Sequence, residues 1–464
     1  MIRTNKKINM LNLIRKVSVI AVPIALQNLL ASTGSMVDTM MIGSLGETEV
    51  AAVGLCAQFS TLLFSSYWGF AGGGILFISQ YWGIKDKKGI NRSYGLMISC
   101  MMLMAFIFAG LAIIGPDTVM GIYTDKENIR RAGIDYLRII GYAYPLEVLS
   151  IGMGVLLRTT EQVKIPLYAS IVSVLTNIVL NWIFIFGKLG APAMGVRGAA
   201  IATLCSAIVN VALICILSKI KRHDFLFMIK EHYKWDTSSV ALYLKKCFPI
   251  LCNEFAMGIS NLIINVVLGH QAAAGIAALA VFRTIEGLII GFFSGFSSAS
   301  SILVGKCVGS GLLDEAFERA RRIVYMCQGC ILCIVILLLG IHTPLLHMMS
   351  LSGESFRIGT GLLIIYGVAC VIRMGNWTMN DTFRSSGDSV TGTVLEIVFM
   401  YVLVIPCLLL AAYKFKASFL VIFAMSYIDE PIRYIIMQYH LYSGKWIKPV
   451  TDVGKAKLAE FFEK

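Results

Sequence analysis

Residues 166–187 read PLYASIVSVLTNIVLNWIFIFG, an apolar stretch without a single charged side chain. At the 1.5 Å rise per residue of an α-helix, about 20 such residues cross the hydrocarbon core of a membrane. Comparable stretches fill the chain of 464 residues, of which 57% are hydrophobic and 14% charged. Soluble domains carry about 25% charged residues. The sequence therefore predicts a membrane protein built of helices.

The apolar stretches predict twelve membrane spans, with both termini in the cytoplasm. The spans are predicted at approximately 14–41, 50–81, 93–115, 129–156, 166–187, 197–218, 241–268, 274–305, 322–342, 358–383, 391–412 and 417–440. About 28 of the 40 Lys and Arg residues then lie on cytoplasmic segments, as the positive-inside rule requires. Arg3, Lys6 and Lys7 precede the first span, which is too long for the core of a signal peptide. The net charge of +13 follows from this topology and from contact with anionic lipid, so we expect no binding of nucleic acid.

The second half of the chain repeats the first half at an offset of 226 residues. Equivalent pairs are Pro23 and Pro249, Gly43 and Gly269, Gly83 and Gly309, and Arg158 and Arg384. Because each half has an even number of spans, both copies enter the membrane in the same orientation, and the repeat is parallel. The predicted fold is all-α, with twelve transmembrane helices in two parallel six-helix lobes around a central cleft. The predicted domains are an N-terminal lobe at 1–218, a cytoplasmic linker at 219–240, a C-terminal lobe at 241–440 and a cytoplasmic tail at 441–464.

Three stretches of the sequence resemble the multidrug and toxic compound extrusion (MATE) transporters. They are Pro23-x3-Gln27-x10-Asp38-Thr39, the segment from Asn177 through Asn181-Trp182 to Gly198, and Phe248-Pro249 followed by Glu254. The similarity covers about residues 14–447. It implies a monomeric transporter of the bacterial inner membrane, which extrudes small organic, chiefly cationic molecules by alternating access. Exchange against H+ or Na+ would drive it, and no other cofactor is expected.

Asp38 is the main candidate for the site of cation coupling. An ionisable side chain inside a span costs several kcal/mol unless it is paired or hydrated, so each one is a functional candidate. Asn177 and Asn181 are four residues apart and share one face of the fifth span. In the family that the chain resembles, the matching aspartate and the positions of these asparagines form a cation site. The alternative is that the three side chains hold the helices together.

Glu254 resembles an acid that other members use for cation coupling in the C-terminal lobe. Its alternative role is a buried ion pair with Arg283 or Arg373. Arg373 departs from the family, because some members have a cation-binding aspartate there and a guanidinium neither binds sodium nor releases a proton. The repeat matches Arg373 to Glu147, and we expect these two to pair across the cleft in one state or to be neutralised within their own lobes. Arg283 and Glu286, three residues apart, are expected to neutralise each other.

Other polar residues receive smaller roles. Gln27, Asn253 and Tyr144 are candidates for the substrate cleft, together with Glu147, Arg373, Arg283 and Glu286. Asp381 and Glu396 are weaker candidates, whereas Asp429, Glu430 and Arg433 are expected to form a locally neutral cluster.

Several other classes of protein compete with this interpretation. A major facilitator also has two parallel six-helix repeats, and a lipid-linked saccharide flippase would have a more cationic cleft. A membrane-embedded enzyme is disfavoured because the six histidines are scattered and no activated nucleophile is recognisable. Cys327, Cys330 and Cys333 lie on one helix face without histidine partners, so we interpret them as packing residues and expect no metal site.

Overall fold

The computed structural model describes residues 9–349 and 351–463, and every regular element in these ranges is helical. Eleven of the described helices are long and apolar enough to cross a membrane. Arg3, Lys6 and Lys7 of the predicted basic N-terminal segment lie outside the described residues.

The first half of the chain contains six long helices and three short elements. They are α1 (Met10–Gly43), α2 (Glu47–Gly83), α3 (Lys87–Ile114), α4 (Pro116–Tyr123), α5 (Glu127–Thr159), α6 (Lys164–Phe186), α7 (Val196–Ile220), a 3-10 turn (Asp224–Phe227) and α8 (Ile229–His232). Local signals set the helix ends. The Asp86 side chain accepts a hydrogen bond from the Lys88 N–H and caps α3. Gly187 ends α6 in the left-handed conformation, with φ of 66°.

The second half begins with long helices and ends with shorter ones. They are α9 (Thr237–Gly269), α10 (Ala273–Gly309), α11 (Leu313–Gly340), α12 (His342–Met348), α13 (Gly353–Ser385), α14 (Thr391–Phe399), α15 (Ile405–Leu409), α16 (Phe419–Met425), α17 (Glu430–Ser443), α18 (Asp452–Ala456) and α19 (Leu458–Glu463). Two π-helical turns, Met400–Val404 and Leu410–Lys414, flank α15 within the eleventh span. Such turns are frequent at functional sites.

The twelfth predicted span, at 417–440, is not one helix. It consists of α16 and α17, which are separated by a turn at residues 426–429. Pro431 stands in the first turn of α17, where its missing N–H is tolerated, but it could not continue a helix arriving from α16. This break explains why eleven continuous helical segments of the described chain, and not twelve, are long enough to span a membrane. The eleventh is Thr391–Lys414, which comprises α14, α15 and the two π-helical turns.

The chain packs as two compact units. The N-terminal unit comprises Leu26–Ile78 and Asp86–Cys247, and the C-terminal unit comprises the described residues of 9–25, 79–85, 248–349 and 351–463. Compared with the predicted lobes, the described start of α1 and the last turn of α2 pack in the C-terminal unit. The first part of α9 packs in the N-terminal unit, where the Tyr243 hydroxyl donates to the Phe70 carbonyl at 2.6 Å.

Helices α1 and α9 each pass from one unit to the other at a point next to a proline. The unit boundaries fall after Ala25 and after Cys247, beside Pro23 and Pro249. A proline inside a helix removes one backbone hydrogen bond and weakens the helix locally. In the C-terminal unit, α10 approaches the first part of α1 so closely that a Cβ at Gly295 would collide with the Ala21 carbonyl oxygen.

The segment after α17 packs into the C-terminal unit. Trp446 is fully buried against Phe383, and its indole N–H donates to the Leu441 carbonyl at 2.9 Å. The Val450 N–H donates to the Gln80 side chain at 2.8 Å, and the Thr451 hydroxyl donates to the Gly309 carbonyl at 2.6 Å. The predicted tail thus ends in two short helices, α18 and α19, and is anchored by hydrogen bonds.

Asp388 is a buried carboxylate in the loop between α13 and α14. Burial raises its pKa, but hydrogen bonds from His440, Lys448 and Thr391 outweigh burial and hold the pKa well below its usual range. His440 Nε2 lies 2.9 Å and Lys448 Nζ lies 3.0 Å from the carboxylate oxygens. Asp388 therefore joins α17 and the tail to the end of α13.

Candidate functional site

The N-terminal unit brings Asp38, Asn177 and Asn181 together, as the sequence predicts. Asn181 is completely buried on α6, and its amide nitrogen donates a short hydrogen bond to Asp38 Oδ1 on α1. The same nitrogen lies 3.2 Å from Asn177 Oδ1, and the Asn177 amide donates to the Thr203 hydroxyl at 3.4 Å. Asn181 Oδ1 has no hydrogen-bond partner among the described residues. One carboxylate and neutral amide oxygens therefore meet in this site, and their role in coupling stays a prediction.

The other predicted residues of this unit are Gln27, Tyr144 and Glu147, and no described hydrogen bond joins them to Asp38. The Gln27 amide donates to the Ser170 hydroxyl at 3.0 Å, and the buried Tyr144 hydroxyl lies 3.0 Å from that of Ser60. Glu147 is half-buried on α5, with no hydrogen bond or ion pair to any described residue.

The C-terminal unit contains a polar cavity of about 220 Å³. Its walls come from α9, α13, α14 and α17, and its lining residues are Asn253, Glu254, Met257, Asn261, Arg373, Asn376, Trp377, Asn380, Arg384, Gly392, Glu396, Arg433 and Met437. A smaller cavity of about 60 Å³ shares Met257, Asn261, Arg373, Glu396 and Arg433 with it. Glu254, Asn253 and Arg373, all predicted as functional, thus line one cavity.

Arg373 is neutralised inside its own unit. Its Nη1 donates to Glu286 Oε1 at 2.9 Å, its Nε lies 3.8 Å from Glu430, and its guanidinium lies 5.5 Å from the centre of the Tyr427 ring. Arg283 donates to the second oxygen of Glu286 at 2.6 Å. Glu286 therefore pairs with Arg283, as predicted, and also with Arg373. Of the two predicted options, the structure therefore has the one in which the charge of Arg373 is neutralised within its own lobe. Pairing of Arg373 with Glu147 in another state stays a prediction.

Glu254 contacts an arginine that the sequence did not suggest as its partner. The predicted alternatives, Arg283 and Arg373, are wrong for this structure, because Glu286 engages both of them. Arg384 Nη1 lies 3.8 Å from Glu254 Oε1. Arg384 comes eleven residues after Arg373 on α13, about 16 Å along the helix, and so meets a different group of carboxylates.

Glu396, predicted as a weaker candidate, is a centre of the C-terminal network. Its Oε2 accepts hydrogen bonds from the amides of Asn253 and Asn380, both at 3.1 Å. Arg433 Nη1 lies 3.5 Å from Glu396 Oε1, and Arg384 Nη2 lies 3.9 Å from Oε2. This carboxylate on α14 thus contacts α9, α13 and α17.

The predicted cluster of Asp429, Glu430 and Arg433 forms, but it is not isolated. Arg433 donates to Glu430 at 2.9 Å and lies 3.5 Å from Asp429, and the Asn376 amide donates to Glu430 at 2.7 Å. Through Glu396 the cluster joins the wider network. Six carboxylates and four arginines are connected in this way: Glu254, Glu286, Asp381, Glu396, Asp429, Glu430, Arg283, Arg373, Arg384 and Arg433.

Long apolar helices in two compact units, with polar side chains buried between them inside each unit, are the features of a multi-pass membrane protein. The MatE family model matches residues 23–183 and 249–410, so that each matched segment begins at one of the two repeated prolines. The chain therefore belongs to the MatE family, the multidrug and toxic compound extrusion transporters. Members of this family are transporters and not enzymes, as predicted.

Individual relatives agree with the family model. The chain is 24% identical over 416 residues to "Probable multidrug resistance protein YoeA" of Bacillus subtilis (strain 168), and the alignment covers 88% of each chain. It is 23% identical over 442 residues to "Probable multidrug resistance protein NorM" of Thermotoga maritima, which covers 92% of both chains.

Solved structures of similar fold confirm the fold class. The bent form of the Vibrio cholerae MATE transporter VcmN superimposes with a TM-score of 0.81 at 18% identity, over 94% of this chain and 99% of that one. A MOP superfamily transporter from Pyrococcus furiosus superimposes with a TM-score of 0.77 at 18% identity, over 95% and 100%. The predicted all-α fold of twelve helices in two lobes is confirmed, with α16 and α17 together as the twelfth.

Proposed function

We propose that this chain is a cation-coupled antiporter, which extrudes small organic cations by alternating access and couples through Asp38. The observation that carries this proposal is the environment of the Asp38 carboxylate. Its described hydrogen-bond partner is the neutral amide of Asn181, and no described ion pair includes it. A carboxylate inside a span needs a positive charge or a proton. An exchangeable H+ or Na+ meets that need.

Two further facts support extrusion of organic cations. The relatives described above carry the name multidrug resistance protein. The ion-pair network around the C-terminal cavity contains six carboxylates for four arginines. Two of these carboxylates and three of the arginines line the cavity itself, and the other four carboxylates lie behind them. A flippase for a lipid-linked saccharide, which carries phosphate, would favour the opposite balance.

The expected setting of the transporter follows from the charge bias of the loops and from the fold. We infer a monomer in the inner membrane, surrounded by lipid, with both termini in the cytoplasm.

Transport by reconstituted vesicles tests the proposal. Vesicles loaded with acidic buffer or with sodium are diluted into neutral or sodium-free medium, which creates an outward gradient of H+ or Na+. Uptake is then measured for a panel of cationic, zwitterionic and anionic compounds that includes tetraethylammonium. We expect one of the two gradients to drive uptake of the cations. We expect Asp38→Asn to reduce this uptake by about tenfold or more, because the exchangeable charge is lost.

Asp135→Asn is the matched control. Asp135 is a half-buried aspartate of the same unit, but its charge is neutralised by Arg197 at 2.8 Å. We expect this variant to transport like the wild type. If neither gradient drives uptake of any compound, antiport is wrong, and if Asp38→Asn transports normally, Asp38 is not the coupling residue.

A further inference from the structure

The ion pairs around the C-terminal cavity are of two kinds. Arg373 and Arg433 each make a hydrogen bond of 2.9 Å to a carboxylate, the length that is usual for charge-assisted bonds. Arg384 lies 3.7–3.9 Å from three carboxylates, those of Glu254, Asp381 and Glu396, and donates to none of them. Arg384 is therefore a shared counter-ion, held by charge and not by directed hydrogen bonds.

Both Arg384 and Glu254 have unused hydrogen-bonding capacity. The side-chain hydrogen bond of Arg384 goes to the Thr393 hydroxyl at 3.4 Å, and its buried Nε has no partner among the described residues. Glu254 has no hydrogen bond to any described residue, and its ion pair with Arg384 is its closest charged contact. An ion pair of this length in a low-dielectric site is open to competition by a second cation that can also donate hydrogen bonds.

Three buried amide oxygens at the same cavity also have no partner. Asn253, Asn376 and Asn380 are 3%, 2% and 6% exposed, and each uses its amide nitrogen to donate to Glu396 or Glu430. The carbonyl oxygen of each makes no hydrogen bond within the described part of the chain. A buried oxygen without a donor costs about 1–3 kcal/mol, so these oxygens favour a ligand that brings several N–H groups.

The shape and the chemistry of the cavity select among cations. A guanidinium presents five N–H donors in a planar fork, whereas a primary ammonium presents three from a single point. The cavity, about 220 Å³ in volume, admits a small ligand and has Trp377 in its wall, and the face of an indole attracts a flat cation.

We propose that this cavity binds ligands with a guanidinium or amidinium head between Glu254 and Glu396, and that the Arg384 guanidinium occupies this place when no ligand is bound. On ligand binding, Arg384 retains Asp381, its neighbour one helical turn earlier. Arg384 thus acts as an internal competitor and sets the affinity of the site. The inference rests on the proposed function, since it specifies the class of cation that is transported.

Equilibrium binding of phenylguanidinium to the purified full chain, without any gradient, tests this inference. We expect Glu254→Gln to weaken binding by about tenfold or more, because a buried charge pair with the ligand is lost. The double variant Arg384→Gln with Asp381→Asn removes one charge of each sign. We expect it to bind phenylguanidinium about tenfold more tightly, because the competitor is absent. A purely structural role of Arg384 would not tighten binding.

The chain offers a matched control for Arg384. Arg158 occupies the equivalent position of the repeat in the N-terminal unit, where its Nε donates to the Gly154 carbonyl at 3.2 Å and it has no carboxylate partner among the described residues. We expect Arg158→Gln to leave the affinity within about twofold of the wild type. Phenylurea, a neutral molecule of the same shape, is the ligand control and is expected not to compete.

Several outcomes would overturn the inference. They are unchanged or weaker binding in the double variant, unchanged binding in Glu254→Gln, and competition by phenylurea equal to that of phenylguanidinium. If the double variant does not fold, Arg384→Lys replaces it. The lysine side chain is shorter and holds its charge less closely between Glu254 and Glu396, so it competes less and binding of phenylguanidinium should tighten by about threefold. Wild-type or weaker affinity in Arg384→Lys then contradicts the competitor role.

The proposed function and this inference fail in different measurements. Loss of gradient-driven uptake with the expected binding pattern intact contradicts antiport alone. Normal antiport without the effect of Arg384 on affinity contradicts the internal competitor alone.

Discussion

The two units repeat one sequence pattern but compensate their buried charges in opposite ways. In the N-terminal unit, Asp38 contacts neutral amides, and Glu147 has no partner among the described residues. In the C-terminal unit, six carboxylates share four arginines. A carboxylate among amides must take its counter-charge from outside the protein, whereas an arginine network supplies most of it from within. The comparison supports the proposal that the first unit exchanges a small ion, whereas the second unit neutralises most of its buried charge internally.

The equivalent residues Arg158 and Arg384 show the difference at a single position. Both are arginines at the end of a long helix, α5 or α13. Arg158 donates to a backbone carbonyl of its own helix, but Arg384 lies near three carboxylates. The repeat thus conserves the residue and not its partners, so a role cannot be carried from one half to the other by the offset alone.

The largest effect on stability is expected from breaking the C-terminal network at Glu286. This carboxylate is 3% exposed and accepts hydrogen bonds from both Arg283 and Arg373. Glu286→Gln leaves two guanidiniums without their main counter-ion, and removal of one partner from a buried pair costs about 3–5 kcal/mol. Thermal unfolding in detergent measures the loss.

Glu354→Gln is the control for this experiment, because Glu354 is exposed at the start of α13. It should unfold within about 0.5 kcal/mol of the wild type. Equal stability of Glu286→Gln and Glu354→Gln would mean that the arginines are not neutralised through Glu286.

The tail provides a second test, since it packs on the C-terminal unit. Trp446 is fully buried, lies 5.6 Å from the Phe383 ring and donates to the Leu441 carbonyl. Trp446→Ala is expected to cost about 3 kcal/mol through the lost contacts and the cavity that remains. Trp235→Ala, which replaces a tryptophan that is not part of the buried core, is the control for thermal unfolding. A tail that is only loosely attached would make the two variants equal.

A smaller effect, dependent on pH, is expected at Asp388. Its pKa is below the usual value of about 3.9, so its hydrogen bonds stabilise the fold above that pH, and the contribution is lost as the pH falls toward the folded-state pKa. Asp388→Asn should cost about 1–3 kcal/mol at neutral pH and progressively less in acid. Unfolding measured from neutral to acidic pH shows whether the two stability curves converge.

Asp452→Asn controls for the loss of a tail aspartate, because the Asp452 side chain is fully exposed beside Lys455. Its stability difference from the wild type should not change with pH. Parallel curves for Asp388→Asn and the wild type would contradict the hydrogen-bonded carboxylate.

Most of the fold could be predicted from the sequence, because membrane spans follow from length and hydropathy. The twelfth span was predicted as continuous because hydropathy does not register a turn before Pro431. The sequence also did not predict which unit the ends of α1, α2 and α9 belong to, because this depends on packing. In the N-terminal site, the spacing of Asn177 and Asn181 sufficed, since four residues return a helix to the same face.

The C-terminal network was only partly predicted, although one signal was present. Residues 373, 376, 377, 380 and 384 follow the spacing of one helix face, and all of them line the cavity. This polar face of α13 would have pointed to Arg384. The central place of Glu396 had no comparable signal, because it depends on how α14 packs against α9, α13 and α17.

The smallest effect on stability is expected at Asp38, where the effect on transport should be largest. Asp38 has one described hydrogen bond, from Asn181, and no arginine beside it. In Asp38→Asn, the amide oxygen can still accept that bond, and no charge is left uncompensated, so unfolding should change by less than about 1 kcal/mol while gradient-driven uptake is lost. Stability and transport are measured on the same preparation. If Asp38→Asn were as destabilised as Glu286→Gln, Asp38 would belong to a structural ion pair, as Glu286 does in the other unit. The contrast between an exchangeable and an internal counter-charge would then disappear.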